Sequence, residues 1–171
     1  MFDGQIELLA ATHDRRSFSC GEPALDDYLQ CLARQHAASK ISRTYVATQG
    51  AAIFGYYSLA MSAIRKDQPP EPQQKRFPNY PVPVARLARL GVDQKQQGKG
   101  LGKLLLMDAL YRCYRLSEEI GSVGVVVDAK HAQAQSFYRQ FNFEEFPETP
   151  LTLWLPVAAI ARLFGPSPDI A

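Results

Sequence analysis

Carboxylates are missing from a long stretch of this chain of 171 residues. Between Tyr28 and Lys66 there is no Asp or Glu, and extending the stretch to Val92 adds only Asp67 and Glu71 against nine bases: Arg34, Lys40, Arg43, Arg65, Lys66, Lys75, Arg76, Arg86 and Arg89. After Asn142 the balance reverses, with Glu144, Glu145, Glu148 and Asp169 facing Arg162 alone. So one-sided a basic region points to a polyanionic partner or, equally on charge alone, to a scattered solvated surface. Long apolar runs are missing too. None reaches the ~18 residues of a membrane span, and "MFDGQIELLAATHDRR" lacks the basic-then-apolar order of a secretory signal. No membrane partner and a cytoplasmic location are expected. Cysteine is scarce: Cys20, Cys31 and Cys113 are odd in number and scattered, which excludes a disulfide framework. The three histidines (His13, His36, His131) have no metal-ligand spacing, so no metal is expected, and no G-x-S-x-G nucleophile elbow is present.

What is there reads as one mixed α/β domain over residues 1–165, with a loose tail at 166–171. Leu25, Tyr28, Leu29, Leu32 and Ala33 share one helical face within residues 22–38, and Pro23, Asp26 and Asp27 suit that helix's first turn. "SRTYVAT" and "AAIFGYYSLAMSAI", separated by "QG", read as an antiparallel hairpin. Six prolines make Asp67–Pro83 a stiff loop. A strand "VARLARLGVD" follows, then a helix through about Glu119 that Gly121 ends. "SVGVVVD" is a buried strand, "HAQAQSFYRQF" a short helix, and "FNFEEF" and "LTLWLPV" two strands split by "PETP".

The segment "QQGKGLGK", Gln96 to Lys103, is a glycine-rich basic turn between a strand and a helix, the usual place for a phosphate. A Walker loop ending at Gly102-Lys103 would need glycine at Gln97 and Ser or Thr at Leu104. A dinucleotide fingerprint started at Gly98 or Gly100 lands on Lys103 or Leu105 where its last glycine belongs. Both fail. What fits is Gln97-x-x-Gly100-x-Gly102.

That pattern resembles the pyrophosphate loop of the GNAT family of acetyl-CoA-dependent N-acyltransferases, [QR]-x-x-G-x-[GA]. About forty residues on, Ala134, Phe137, Tyr138 and Phe143 match the family's A-x-x-F-Y-x-x-x-G-F helix. Asn142 replaces the family's glycine, and Asn is the next choice after Gly for a left-handed helix stop. "FSCGEPALDDYL", "ISRTYVAT", "GYYSLA" and "PVARLARLGVD" extend the resemblance over nearly the whole chain to the acetyltransferase toxins of bacterial type II toxin–antitoxin modules.

The resemblance implies a GNAT fold, with a central mixed, mostly antiparallel sheet flanked by helices. It implies acetyl-CoA as co-substrate, held by Gln97, Gly98, Lys99, Gly100, Leu101, Gly102 and Lys103, with backbone groups of Leu90, Gly91 and Val92 pairing with the pantetheine arm. It implies Tyr138 as the acid that protonates the coenzyme sulfur. For the subfamily it implies acetylation of the α-amine of aminoacyl-tRNA, a ribbon-helix-helix type antitoxin as partner, and a possible homodimer. The alternative is an N-acetyltransferase acting on a small amine or a protein N-terminus.

The residues themselves agree with an easily deprotonated acceptor. A lysine amine near pKa ~10.4 needs a base, whereas an α-amine near ~8 is partly neutral already at pH 7. The strands expected around the site carry no Asp or Glu, and Asp93 and His131 read as structural. Lys40, Arg43, Arg86 and Arg89 are the candidate tRNA contacts, although Arg86 and Arg89, three apart on a strand, face opposite sides. Gly91 reads as a bulge or a point of close approach, and Cys20 as a small core residue rather than a nucleophile.

Overall fold

The computed structural model describes residues 2–165, so the expected tail at 166–171 lies outside the described residues. Fifteen segments alternate in the order β1 (Gln5–Leu8), α1 (Pro23–Asp27), a π-turn (Tyr28–Leu32), α2 (Ala33–Ala38), β2 (Arg43–Gln49), β3 (Ala52–Ile64), α3 (Glu71–Gln74), β4 (Val82–Val92), a 3₁₀ turn (Gln94–Gln96), α4 (Leu101–Glu119), β5 (Gly124–Asp128), α5 (Ala132–Arg139), β6 (Glu144–Phe146), β7 (Thr149–Pro156) and α6 (Val157–Phe164). The strands form a seven-stranded sheet in the order β1-β2-β3-β4-β5-β7-β6. Four of its neighbouring pairs, β1–β2, β2–β3, β5–β7 and β6–β7, are antiparallel. The mixed, mostly antiparallel sheet is thus as expected. Two compact units make up the chain: residues up to Ala60 with Leu87–Ala109, and Met61–Arg86 with everything from Leu110 onward.

In the first unit the strands alternate side chains between two faces. On one face Tyr56 packs with Phe18, Leu25, Tyr28, Leu29 and Val46. On the other, Gly55 lets α4 lie close: a Cβ there would sit 2.8 Å from Leu105 Cδ1. Beside it the Tyr57 hydroxyl donates to the Asp108 carboxylate, and Tyr57 stacks on its cross-strand partner Tyr45 at 5.2 Å. The expected hairpin is β2–β3, but Gln49 pairs with Ala52, which makes Gly50-Ala51 the two-residue loop. Gly50 has φ 61°, as a tight hairpin turn requires.

The long helix expected over residues 22–38 is interrupted. At Tyr28–Leu32 it widens by one residue, the Ala33 N–H bonding to the Tyr28 carbonyl. Leu25, Tyr28, Leu29 and Ala33 are buried as expected, while Leu32 turns outward and is 41% exposed. A regular helix would have kept Leu32 on the buried face, and the wide turn rotates it away.

In the second unit Ile64, Val82, Val84, Val126, Phe146 and Trp154 form the core. The proline-rich segment is anchored to that core rather than left as a plain loop. Its helical turn α3 carries Gln73, whose Oε1 accepts from Trp154 Nε1 at 3.2 Å, and Phe77 meets the Trp154 ring edge-on at 6.0 Å. The segment is also shorter than expected, because Val82 and Pro83 already belong to β4. Three further differences stand out. β1 and α6 have no counterpart in the sequence reading. Thr149 and Pro150 belong to β7, leaving Pro147-Glu148 as the turn. Gly121 lies beyond the end of α4 without a left-handed backbone.

Candidate active site

In the first unit, β4 ends at Val92 and the chain turns at Asp93. Three hydrogen bonds fix that turn. The Asp93 N–H donates to the Phe54 carbonyl at 2.9 Å, and the Asp93 carboxylate accepts from the N–H groups of Lys95 at 3.0 Å and Ser19 at 3.1 Å. Asp93 is therefore structural, as expected, and serves as a cap. Gln97, the first position of the motif, donates its side-chain amide to the Val92 and Cys20 carbonyls, both at 2.9 Å. Its amide staples the loop to the strand it has just left and to the Cys20 backbone.

Gly98 and Gly100 have φ of 77° and 84°, a backbone that L side chains adopt only under strain. A Cβ at either position would meet nothing within 4 Å, so the backbone here faces open space. The Gly100 carbonyl accepts from the Leu104 N–H at 3.2 Å, which makes Gly100 the residue that opens α4. The N–H groups behind it have no acceptor within the helix and carry its positive pole. Buried Leu101 and Leu105 anchor that first turn to the core, while Lys99 and Lys103 stay exposed. Leu90, Gly91 and Val92 form the end of β4. Gly91 does not match the expected close approach: a Cβ there would meet Leu25, Tyr56 and Cys20 at 3.5–3.6 Å, ordinary contact.

Sequence reasoning missed the segment that braces this loop. Ser19 and Cys20, from "FSCGEP", supply one donor and two acceptors to it, the Gln94 N–H reaching the Ser19 carbonyl at 2.8 Å. The available signal was Gly21: at φ 93° its missing Cβ leaves room for the Gln94 amide. Cys20 itself is 8% exposed, and burial pushes its thiol up to about 11, so it stays protonated at neutral pH. That fits a core residue and excludes a resting nucleophile.

Tyr138 lies in the second unit, in the last turn of α5. His131 opens this helix with its own side chain, Nδ1 accepting from the Ala134 N–H at 3.2 Å. Asn142 has φ 68°, the left-handed stop expected of it. The reversal brings the Phe143 N–H to the Tyr138 carbonyl at 3.4 Å and the Phe143 ring within 5.5 Å of the Tyr138 ring. With Phe137 at 5.2 Å, the phenol ring is held on two sides by packing. Tyr138 is only 7% exposed.

The candidate cations differ in their surroundings. Arg86 pairs with Asp128, whose other oxygen accepts from Thr152 Oγ1 at 2.9 Å. Arg89 lies 3.6 Å over the Tyr28 ring, a cation–π contact. Lys40 and Arg43 are exposed and line a cleft on the first unit. Among the described residues no three His, Cys, Asp or Glu side chains gather in a way that could hold a metal ion.

Open backbone at a strand–helix junction, with positive φ at Gly98 and Gly100 and a mostly antiparallel sheet behind it, defines a mixed α/β protein with a helix start shaped to suit an anion. The chain belongs to the GNAT acetyltransferase family: residues 40–145 match its acetyltransferase (GNAT) domain. It is 40% identical, over 152 residues covering 89% of this chain and 91% of the relative, to the tRNA-acetylating toxin of Mycobacterium tuberculosis (strain ATCC 25618 / H37Rv). It is similar in structure to AtaT complexed with acetyl-methionyl-tRNAfMet, with a TM-score of 0.87, 30% identity, and coverage of 95% of this chain and 100% of that one. It also resembles a tyrosine-to-phenylalanine mutant of the AtaT toxin bound to the C-terminus of the antitoxin AtaR and acetyl-CoA, with a TM-score of 0.82, 28% identity, and coverage of 95% and 98%.

Proposed function

We propose that the protein transfers acetyl from acetyl-CoA to the α-amine of aminoacyl-tRNA, and so acts as the toxin of a toxin–antitoxin pair. The observation that carries this reading is the likeness to the tRNA-acetylating toxin, which spans nearly the whole of both chains. An acetylated amine has no lone pair available to attack the next ester, so each modified tRNA is lost to peptide-bond formation. The partner that neutralises the toxin is an antitoxin of ribbon-helix-helix type, and the chain works as a homodimer.

The coenzyme pyrophosphate sits on the backbone from Gly98 to Lys103, where glycine dihedrals and the start of α4 present N–H groups to it. Lys99 and Lys103 add positive charge nearby. The pantetheine arm runs along Leu90–Val92 like an added strand. The neutral amine attacks the thioester carbon; the C–N bond forms, the C–S bond breaks and its electron pair leaves on sulfur. Tyr138 gives its phenolic proton to that sulfur and recovers one from solvent, while the new amide loses its surplus proton to water. No carboxylate base is required, because an α-amine near pKa ~8 is already neutral in part at pH 7.

Transfer of radiolabelled acetyl from acetyl-CoA into charged tRNA tests the reading, with uncharged tRNA, free amines and peptides alongside. Label that enters charged tRNA alone, and leaves with the amino acid on mild base, is the expected result. Label in peptides or free amines instead would remove the tRNA substrate and keep the acetyltransferase.

A further inference from the structure

Of the nine bases in the carboxylate-poor stretch, several are already engaged. Arg65 pairs with Asp67, Lys66 donates to Asn79, Arg86 pairs with Asp128, and Arg89 lies on Tyr28. Lys75 and Arg76 are exposed in the second unit, Arg76 beside Glu144 in a separate cleft; Arg34, Lys40 and Arg43 are set apart by converging. All three are exposed, none makes an ion pair or side-chain hydrogen bond among the described residues, and they converge on one cleft of about 350 Å³ in the first unit. Leu9, Ala37 and Thr44 also line it, and the buried Thr44 hydroxyl has no hydrogen-bond partner among the described residues.

Lys40 carries a second signal. After α2 the Ile41 N–H bonds back to the His36 carbonyl at 2.9 Å and the Lys40 N–H to the Ala37 carbonyl at 3.2 Å. This is the helix stop that normally places glycine at its left-handed position. Lys40 occupies it instead, with φ 62°. A long cation held in a strained backbone state, where glycine would fit more easily, suggests a use for the side chain rather than for the fold.

We propose that the cleft lined by Arg34, Lys40 and Arg43 binds the sugar–phosphate backbone of the substrate tRNA, and that Arg86 and Arg89 do not. The proposal rests on the aminoacyl-tRNA reading and locates the polyanion within it. Three unpaired cations with no carboxylate on the same stretch of chain make a field that phosphates fill with release of counterions. The contacts carry no base specificity, so the site admits tRNAs of many sequences.

The test uses Lys40→Gly, Arg43→Gln and the double variant of the full chain, with acetyl-CoA saturating. Lys40→Gly removes the side chain at a position where glycine is the natural occupant, so folding is preserved, and a thermal melt checks this. Two acceptors are compared: charged tRNA, and an aminoacyl-adenosine that presents the same ester and amine without phosphates. In the double variant the KM for charged tRNA is expected to rise about tenfold with kcat unchanged, and the salt dependence of log(kcat/KM) to flatten by about 0.7–0.9 per cation removed. Kinetics on the aminoacyl-adenosine should not move. Unchanged KM and salt slope on tRNA overturn the proposal, as does an equal loss on both acceptors. Unchanged tRNA kinetics with weakened inhibition by the antitoxin would overturn it in favour of an acidic peptide. A wild-type enzyme that labels no charged tRNA brings down the functional reading itself, and is recognised before any variant is made.

Discussion

Helices α4 and α5 begin in opposite ways. His131 closes the start of α5 by accepting an N–H onto its own ring. Gly100 opens α4 and has no side chain with which to do so, and both glycines ahead of that helix hold φ values that other residues avoid. One terminus has an N–H capped by its own first residue, while the other begins on glycine, which has no side chain to cap it. The contrast separates two uses of a helix near chemistry. In the function proposed above, α4 contributes its end and α5 one side chain, Tyr138, held by Phe137 and Phe143.

Gly100→Asp would break the contrast most severely, because it installs both a cap and a negative charge at the open end. Acetyl-CoA affinity measured by calorimetry should fall by at least ~100-fold, and wild-type affinity in this variant would refute the loop as the pyrophosphate site. Tyr138→Phe sharpens it from the other side. The ring packing survives, so acetyl-CoA binding should hold while turnover drops by ~10²–10⁴, the usual worth of a general acid. Undiminished turnover would dismiss Tyr138 from that role. His131→Ala has the smallest effect, a loss of about 1 kcal/mol in denaturant unfolding for the missing cap, with acetyl-CoA affinity unchanged. A large loss of affinity there would mean that the two termini are not doing separate jobs.

Much of this was legible in the sequence because it depends on local chemistry. The glycine loop, the aromatic helix and the stop at Asn142 each need particular residue types at fixed spacing, and the backbone angles at Gly98, Gly100 and Asn142 follow from those types. β1 was not legible: its four residues show no clear alternation and make sense only beside β2, some forty residues away. α6 was hidden by continuity, since "VAAIARLF" prolongs the apolar run of β7 and short apolar stretches do not reveal their period. Pro156 at its start and Gly165 at φ 72° beyond its end were the overlooked marks. The brace from Ser19 and Cys20 to the loop spans more than seventy residues of sequence, and no local pattern announces a backbone contact at that range. Charge was half legible. The bases could be counted, but which of them a neighbour neutralises is a property of the fold.

The wide turn at Tyr28–Leu32 also has a practical side. Cys31 lies within it and is at the surface, while Cys20 and Cys113 are buried with thiols pushed by burial up to about 11 and about 12. A maleimide dye at neutral pH would therefore attach to Cys31, giving a fluorescent reporter on the native chain with no cysteine to engineer in or out.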